Sequence, residues 1–129
     1  MKPIYIGFFL DNKIQNTLPR EILHQHITFS YMPENEILEK AKNVLNEKAT
    51  FRCISYGNNG KNEGYKVELV KSSDDIAKLF AKIPIPHITT GLGYSGKAVD
   101  TAYLNFRPCE VFEVNGTFGF FCSDQKVHF

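Results

Sequence analysis

Gln25-His26-Ile27-Thr28-Phe29-Ser30-Tyr31 and His87-Ile88-Thr89-Thr90-Gly91-Leu92 carry the same tripeptide, His-Ile-Thr, at two places in the chain. Both runs are rich in β-branched and aromatic residues and read as strands. Side chains alternate across a strand, so His26, Thr28 and Ser30 fall on one face and Ile27, Phe29 and Tyr31 on the other. The second run likewise puts His87 and Thr89 on one face and Ile88 opposite. With the strands side by side, two imidazoles and two hydroxyls would meet in one small volume.

Working outward, Ile4-Tyr5-Ile6-Gly7-Phe8-Phe9-Leu10 has no polar alternation and reads as a central strand buried on both faces. Asp11-Asn12-Lys13 ends it, and Pro19 marks a loop or short turn before the first motif. After Pro33 an amphipathic helix is expected, its buried stripe Ile37, Ala41, Val44, Leu45 and the stem of Lys48. Strands follow over 50–56 and 65–70, joined by a mobile polar loop, Gly57 to Gly64. Ser72-Ser73-Asp74-Asp75 opens a second helix that buries Ile76, Leu79, Phe80 and Ile83 and stops at Pro84 and Pro86. Gly91, Gly93 and Gly96 predict a flexible loop. Asn115-Gly116 predicts a two-residue hairpin between strands 111–114 and 117–121. A strand–helix–strand order recurs around each motif, within one expected domain over 1–129.

Composition narrows the field. An apolar fraction of 43 % and a formal net charge of +1 exclude a strongly basic or acidic binding protein. Cys53, Cys109 and Cys122 have no CxxC spacing and read as reduced core residues of a cytoplasmic protein. No apolar run approaches the ~18 residues of a membrane span, and the amino end lacks a signal pattern. A monomer without membrane contact is expected.

A lone His-x-Thr is weak evidence, but two copies among four histidines are not. Breaking a phosphodiester needs a base for the attacking oxygen and an acid for the leaving one, and imidazoles suit both. Threonine hydroxyls can donate to the non-bridging oxygens. His24 and His26 could instead form half of a metal site, but no acidic cluster nearby supports it. No metal or cofactor is expected.

These residues resemble the two-histidine phosphoesterase superfamily, marked by a repeated H-x-[S/T] on paired strands. Within it they are similar to the cyclic phosphodiesterase domain of fungal tRNA ligases. Tyr5-Ile6-Gly7 with Leu10-Asp11 is similar to its opening strand. Pro86-His87-Ile88-Thr89, Gly91 and Lys97-Ala98-Val99-Asp100-Thr101 resemble its second motif and the K-P-V-x-S segment beyond, with Ala98 where that family often has proline. The resemblance implies an α+β, bilobal fold, with two antiparallel sheets facing a central cleft and helices outside. It implies His87 as base, His26 as acid toward the 3′ oxygen, Thr28 and Thr89 on the phosphate, Lys97 as a nearby charge, and a 2′-phosphate product. Tyr31 falls on the core face, leaving Tyr5, Tyr94 or Tyr103 to stack on a base.

The expected function is hydrolysis of a 2′,3′-cyclic phosphate on an RNA end or a small cyclic nucleotide. One alternative is an enzyme degrading a cyclic or linear signalling nucleotide, as some phage-encoded superfamily members do. Another is a non-catalytic RNA- or nucleotide-binding module, against which the retention of two proton-transfer groups counts.

Overall fold

The apolar run at the amino end forms β1 (Pro3–Leu10) in the computed structural model, which describes residues 2–129. There follow β2 (Arg20–Glu21), β3 (His26–Tyr31), α1 (Asn35–Lys42), β4 (Lys48–Asn58) and β5 (Asn62–Lys71). The rest of the chain forms α2 (Asp74–Phe80), β6 (His87–Leu92), a 3₁₀ helix (Ala98–Tyr103), β7 (Arg107–Cys122) and β8 (Val127–His128). Both histidine motifs open strands, as expected from their residues.

The two helices form where the sequence predicts them. Ser73 caps α2 by accepting from the Ile76 amide at 3.3 Å. α1 is shorter than its apolar stripe implied. Asn46, at φ 67°, turns the chain, and Lys48 begins β4 instead of closing the helix.

The strands run β1-β3-β6-β5-β4-β7 and close through a β1–β7 pairing into a six-stranded antiparallel barrel. The expected bilobal arrangement, two sheets across a cleft, is therefore wrong. Two three-stranded units do recur, β1-β3-β4 and β5-β6-β7. However, the third strand of each pairs with the first strand of the other, β4 with β5 and β7 with β1. The two third strands also pair together, as do β3 and β6. No edge remains along which two lobes could separate.

β7 makes this closure possible. Its 16 residues pair with β4 over the first part and with β1 over the second, and Gly116 faces partners on both sides. Asn115-Gly116 is thus mid-strand, not a hairpin turn. A type I′ turn needs positive φ at both central residues, and neither residue has it.

One core serves both halves. Phe8, Phe51, Phe118, Ile27 and Ile88 are fully buried, and Ala41, Val44 and Ile76 from the helical segments join the same cluster. Phe80 of α2 reaches Phe29 and Phe51 at 6.0 and 5.7 Å between ring centroids. The helices complete this shared core instead of each covering its own sheet. No helix among the described residues is long and apolar enough to cross a membrane.

The 57–64 stretch departs most from expectation. β4 and β5 extend into it, and Asn62 and Glu63 are 2 % and 1 % exposed. Glu63 accepts from the Thr17 amide (2.8 Å) and hydroxyl (2.7 Å), the Leu18 amide (3.2 Å) and the Tyr56 hydroxyl. Burial alone would raise its pKa; these hydrogen bonds, Tyr56 first, outweigh burial and lower it. A polar loop by composition is here a buried anchor for Thr17 and Leu18.

Candidate active site

Ile27 of β3 lies opposite Ile88 of β6 in an antiparallel pair. Both isoleucines point into the core, so both motifs turn their histidine and threonine to the other face. The register sets His26 beside Thr89 and Thr28 beside His87, with directly opposed Cβ atoms about 4.5–5.5 Å apart. The four expected side chains thus converge. The two imidazoles sit on a diagonal, where neighbours lie roughly 7–8 Å apart and their Cβ atoms somewhat nearer.

Local structure around the motifs matches closely. Nδ1 of His26 lies 2.7 Å from the His24 carbonyl, and Nδ1 of His87 lies 2.7 Å from the Ile85 carbonyl. A carbonyl only accepts, so each Nδ1 carries a proton and each Nε2 is left for a ligand. A glycine stands opposite each threonine, Gly7 facing Thr28 and Gly64 facing Thr89. A Cβ on Gly7 would lie 2.0 Å from the Ile27 carbonyl oxygen, and one on Gly64 would lie 2.3 Å from that of Ile88. Only glycine lets the flanking strands come this near.

Each motif is followed by one unpaired residue, Phe29 on β3 and Thr90 on β6, where the register shifts. This bulge is why Tyr31 leaves the core side. It ends opposite Tyr5 and is 70 % exposed.

The surroundings break the symmetry. His26 pairs with buried Phe9, their rings 5.5 Å apart, whereas His87 pairs with exposed Lys66. Tyr5 stacks on His26 at 4.5 Å and on Phe121 of β7 at 4.9 Å, so both faces of the Tyr5 ring are occupied. Burial pushes the Tyr5 phenol up to about 12. Burial also pushes the His26 imidazole below its ordinary value. The bond to the His24 carbonyl opposes that shift, and the imidazoles of His87 and His24 add to it.

Thr89 is tied to the 3₁₀ helix. Its hydroxyl lies 2.8 Å from that of Thr101 and 3.4 Å from the Ala98 carbonyl. Asn62 donates to the Thr101 hydroxyl at 3.0 Å and to the Lys97 carbonyl at 2.6 Å. Lys97 is exposed at the start of that helix, its backbone fixed and its amine open to solvent. Arg20 holds the preceding turn through the Gly93 and Gly96 carbonyls, at 2.9 and 2.6 Å. Tyr94 and Tyr103 project from this anchored segment, 86 % and 79 % exposed. Asn62, Thr101 and Arg20 stand outside the residues expected at the site from the sequence. Thr101 carried a faint signal in the segment after the second motif, whereas Asn62 was hidden in a run that reads as a turn.

Among the described residues, no three His, Cys, Asp or Glu side chains gather as a metal-binding group. No protein-family model matches the chain, and no curated protein matches it significantly.

Proposed function

We propose that the chain is a phosphodiesterase that opens a 2′,3′-cyclic phosphate, on an RNA end or a small nucleotide, by two-histidine acid–base catalysis. The observation that carries this reading is the pair of imidazoles on joined strands, each with Nδ1 fixed at 2.7 Å to a carbonyl and Nε2 left open. A binding site for phosphate alone would have no use for two imidazoles held in one tautomer.

The lowered pKa of His26 suits it to be neutral at pH 7, which favours it as the base. This reverses the roles that the family resemblance implied. His26 Nε2 takes a proton from water as the water oxygen attacks phosphorus. The substrate is then seated with its 3′ oxygen toward His87, the bond to that oxygen breaks, and His87 Nε2 gives it its proton. The product is a 2′-phosphate with a free 3′-hydroxyl. Thr28 and Thr89 donate to the non-bridging oxygens, where charge must be held. Lys97 adds positive charge nearby, and Tyr94 offers a face to the base. The two imidazoles carry both proton transfers, so no metal or nucleotide cofactor is required.

The test is to incubate the purified protein, with and without EDTA, with nucleoside 2′,3′-cyclic phosphates and RNA ending in a cyclic phosphate. Chromatography then separates the isomeric products. Turnover that survives EDTA and disappears in H26A and H87A is expected. Absence of turnover on the whole panel, or turnover indifferent to both histidines, would sink the proposal.

A further inference from the structure

Thr101 is fully buried, and Asn62 is 2 % exposed. A buried hydroxyl both accepts and donates if it can, and here the directions are forced. The Lys97 carbonyl can only accept, so the atom of Asn62 lying 2.6 Å from it is the amide nitrogen. That same nitrogen faces the Thr101 oxygen at 3.0 Å, which makes Thr101 an acceptor there. The remaining hydrogen-bond partner of Thr101 among the described residues is Thr89, at 2.8 Å. Thr89 could donate across this contact, but a Thr101 that accepted from both neighbours would leave its own buried proton without an acceptor, so the Thr101 proton points to the Thr89 oxygen. Thr89 in turn has its own proton free, with only a long 3.4 Å contact to the Ala98 carbonyl to lose. Thr28 has no such side-chain partner among the described residues, so its hydroxyl can rotate.

We infer that Asn62 and Thr101 are positioning residues that aim the Thr89 hydroxyl proton at the phosphate, making Thr89 the stronger of the two phosphate donors. This rests on the phosphodiesterase reading for its rate effects but not for its binding effects. A preset donor costs no reorientation as charge develops, which is the condition under which such donors contribute most. The same Asn62 amide fixes the Lys97 backbone, so one buried side chain sets both the hydroxyl and the start of the 3₁₀ helix.

The experiment compares T101V, T101S, T89V, T28V and the double variant T89V/T101V. T101V keeps the shape and deletes the hydroxyl; T101S restores the hydroxyl. Expected are a roughly 10-fold fall in kcat for T101V with KM little changed, and recovery in T101S. Expected also are a larger loss for T89V than for T28V, and no further loss on adding T101V to T89V. A structural role alone would make that double variant worse than T89V.

Binding of inorganic phosphate, followed by NMR, gives a readout without turnover. T101V should weaken it several-fold and T101S should not. Equal phosphate affinity in all variants, or T28V costing more than T89V, would overturn the relay. If T101V does not fold, the ranking of T89V against T28V decides. A protein without turnover whose phosphate affinity still depends on the Thr101 hydroxyl would refute the enzymatic reading and leave the relay standing.

Discussion

Gly64→Ala tests whether the close approach of β5 to β6 sets the geometry of the second motif. The added Cβ would lie 2.3 Å from the Ile88 carbonyl oxygen and 2.7 Å from the Thr101 methyl. An ordinary carbon–oxygen contact is about 3.3 Å or more, so roughly 1 Å of separation must be created. Neither neighbour is a flexible chain end. One is the backbone of the motif itself, and the other belongs to the residue that bonds Thr89.

Relief must therefore push β6 away from β5 or the 3₁₀ helix away from both. Overpacking of this kind costs about 1–3 kcal/mol, which for a domain of this size lowers Tm by roughly 3–15 °C. The same displacement moves His87 and Thr89 relative to His26, and a misplacement of about 1 Å costs on the order of 10²-fold in rate. Activity should thus fall far more than stability does. The assay is cyclic phosphate turnover at a temperature where thermal unfolding shows the variant to be folded. Gly7→Ala, with its Cβ 2.0 Å from the Ile27 oxygen, should behave alike. Gly60→Asn should cost far less than either, because nothing lies within 4 Å of its added Cβ and the φ of +83° strains asparagine less than most side chains. Wild-type Tm and turnover in Gly64→Ala would refute the close packing and the geometry built on it.

Replacing His26 or His87 by alanine should each lower turnover roughly 10²–10⁴-fold. The double variant should lose less than the product of the singles, as measured by single-turnover kinetics. Glu63→Ala leaves the Thr17 and Leu18 amides and the Tyr56 hydroxyl without their acceptor and should cost roughly 3–5 kcal/mol in urea unfolding. Glu63 has a folded pKa below its ordinary 4.5, so its contribution is fully present above that value and is lost as pH falls through the folded pKa. Wild-type stability should therefore fall more steeply with acid than that of the Glu63→Ala variant. Parallel curves would refute this.

The strands and helices were legible because their signals are local. Apolar periodicity marks α1 and α2, Ser73 marks a cap, and β-branched runs mark the motif strands. Closure was not legible, because it depends on which distant edges pair. A sequence that repeats strand–helix–strand fits two lobes as well as one barrel with exchanged third strands. Asn115-Gly116 misled for a related reason, since a glycine needed for packing between two strands looks like a glycine needed for a turn. The repeated His-Ile-Thr was legible as two strands that meet with their histidines on one face, but the shell that supports them was not. Asn62 and Glu63 are buried only because β4 and β5 run on through a polar stretch that composition assigns to solvent.

The approximate two-fold of the barrel brings together two imidazoles in the same tautomer, yet acid–base catalysis needs them in different protonation states. The flanks supply the difference. Phe9 and Tyr5 pack His26, while His87 has exposed Lys66 as its strand neighbour. With His26 as base, kcat/KM rises with pH through the His26 pKa and falls once the acid loses its proton, giving a bell. Burial holds the His26 pKa below 6.5, so the acid limb lies below that value. Phe9→Leu reduces the cover on His26 and admits water, which weakens the burial that lowers its pKa. The acid limb should then move upward toward 6.5, and the alkaline limb should stay in place. The pH–rate profile of the two proteins on one cyclic nucleotide reads this directly. Movement of the alkaline limb instead would assign the proton donor to His26 and return the base to His87.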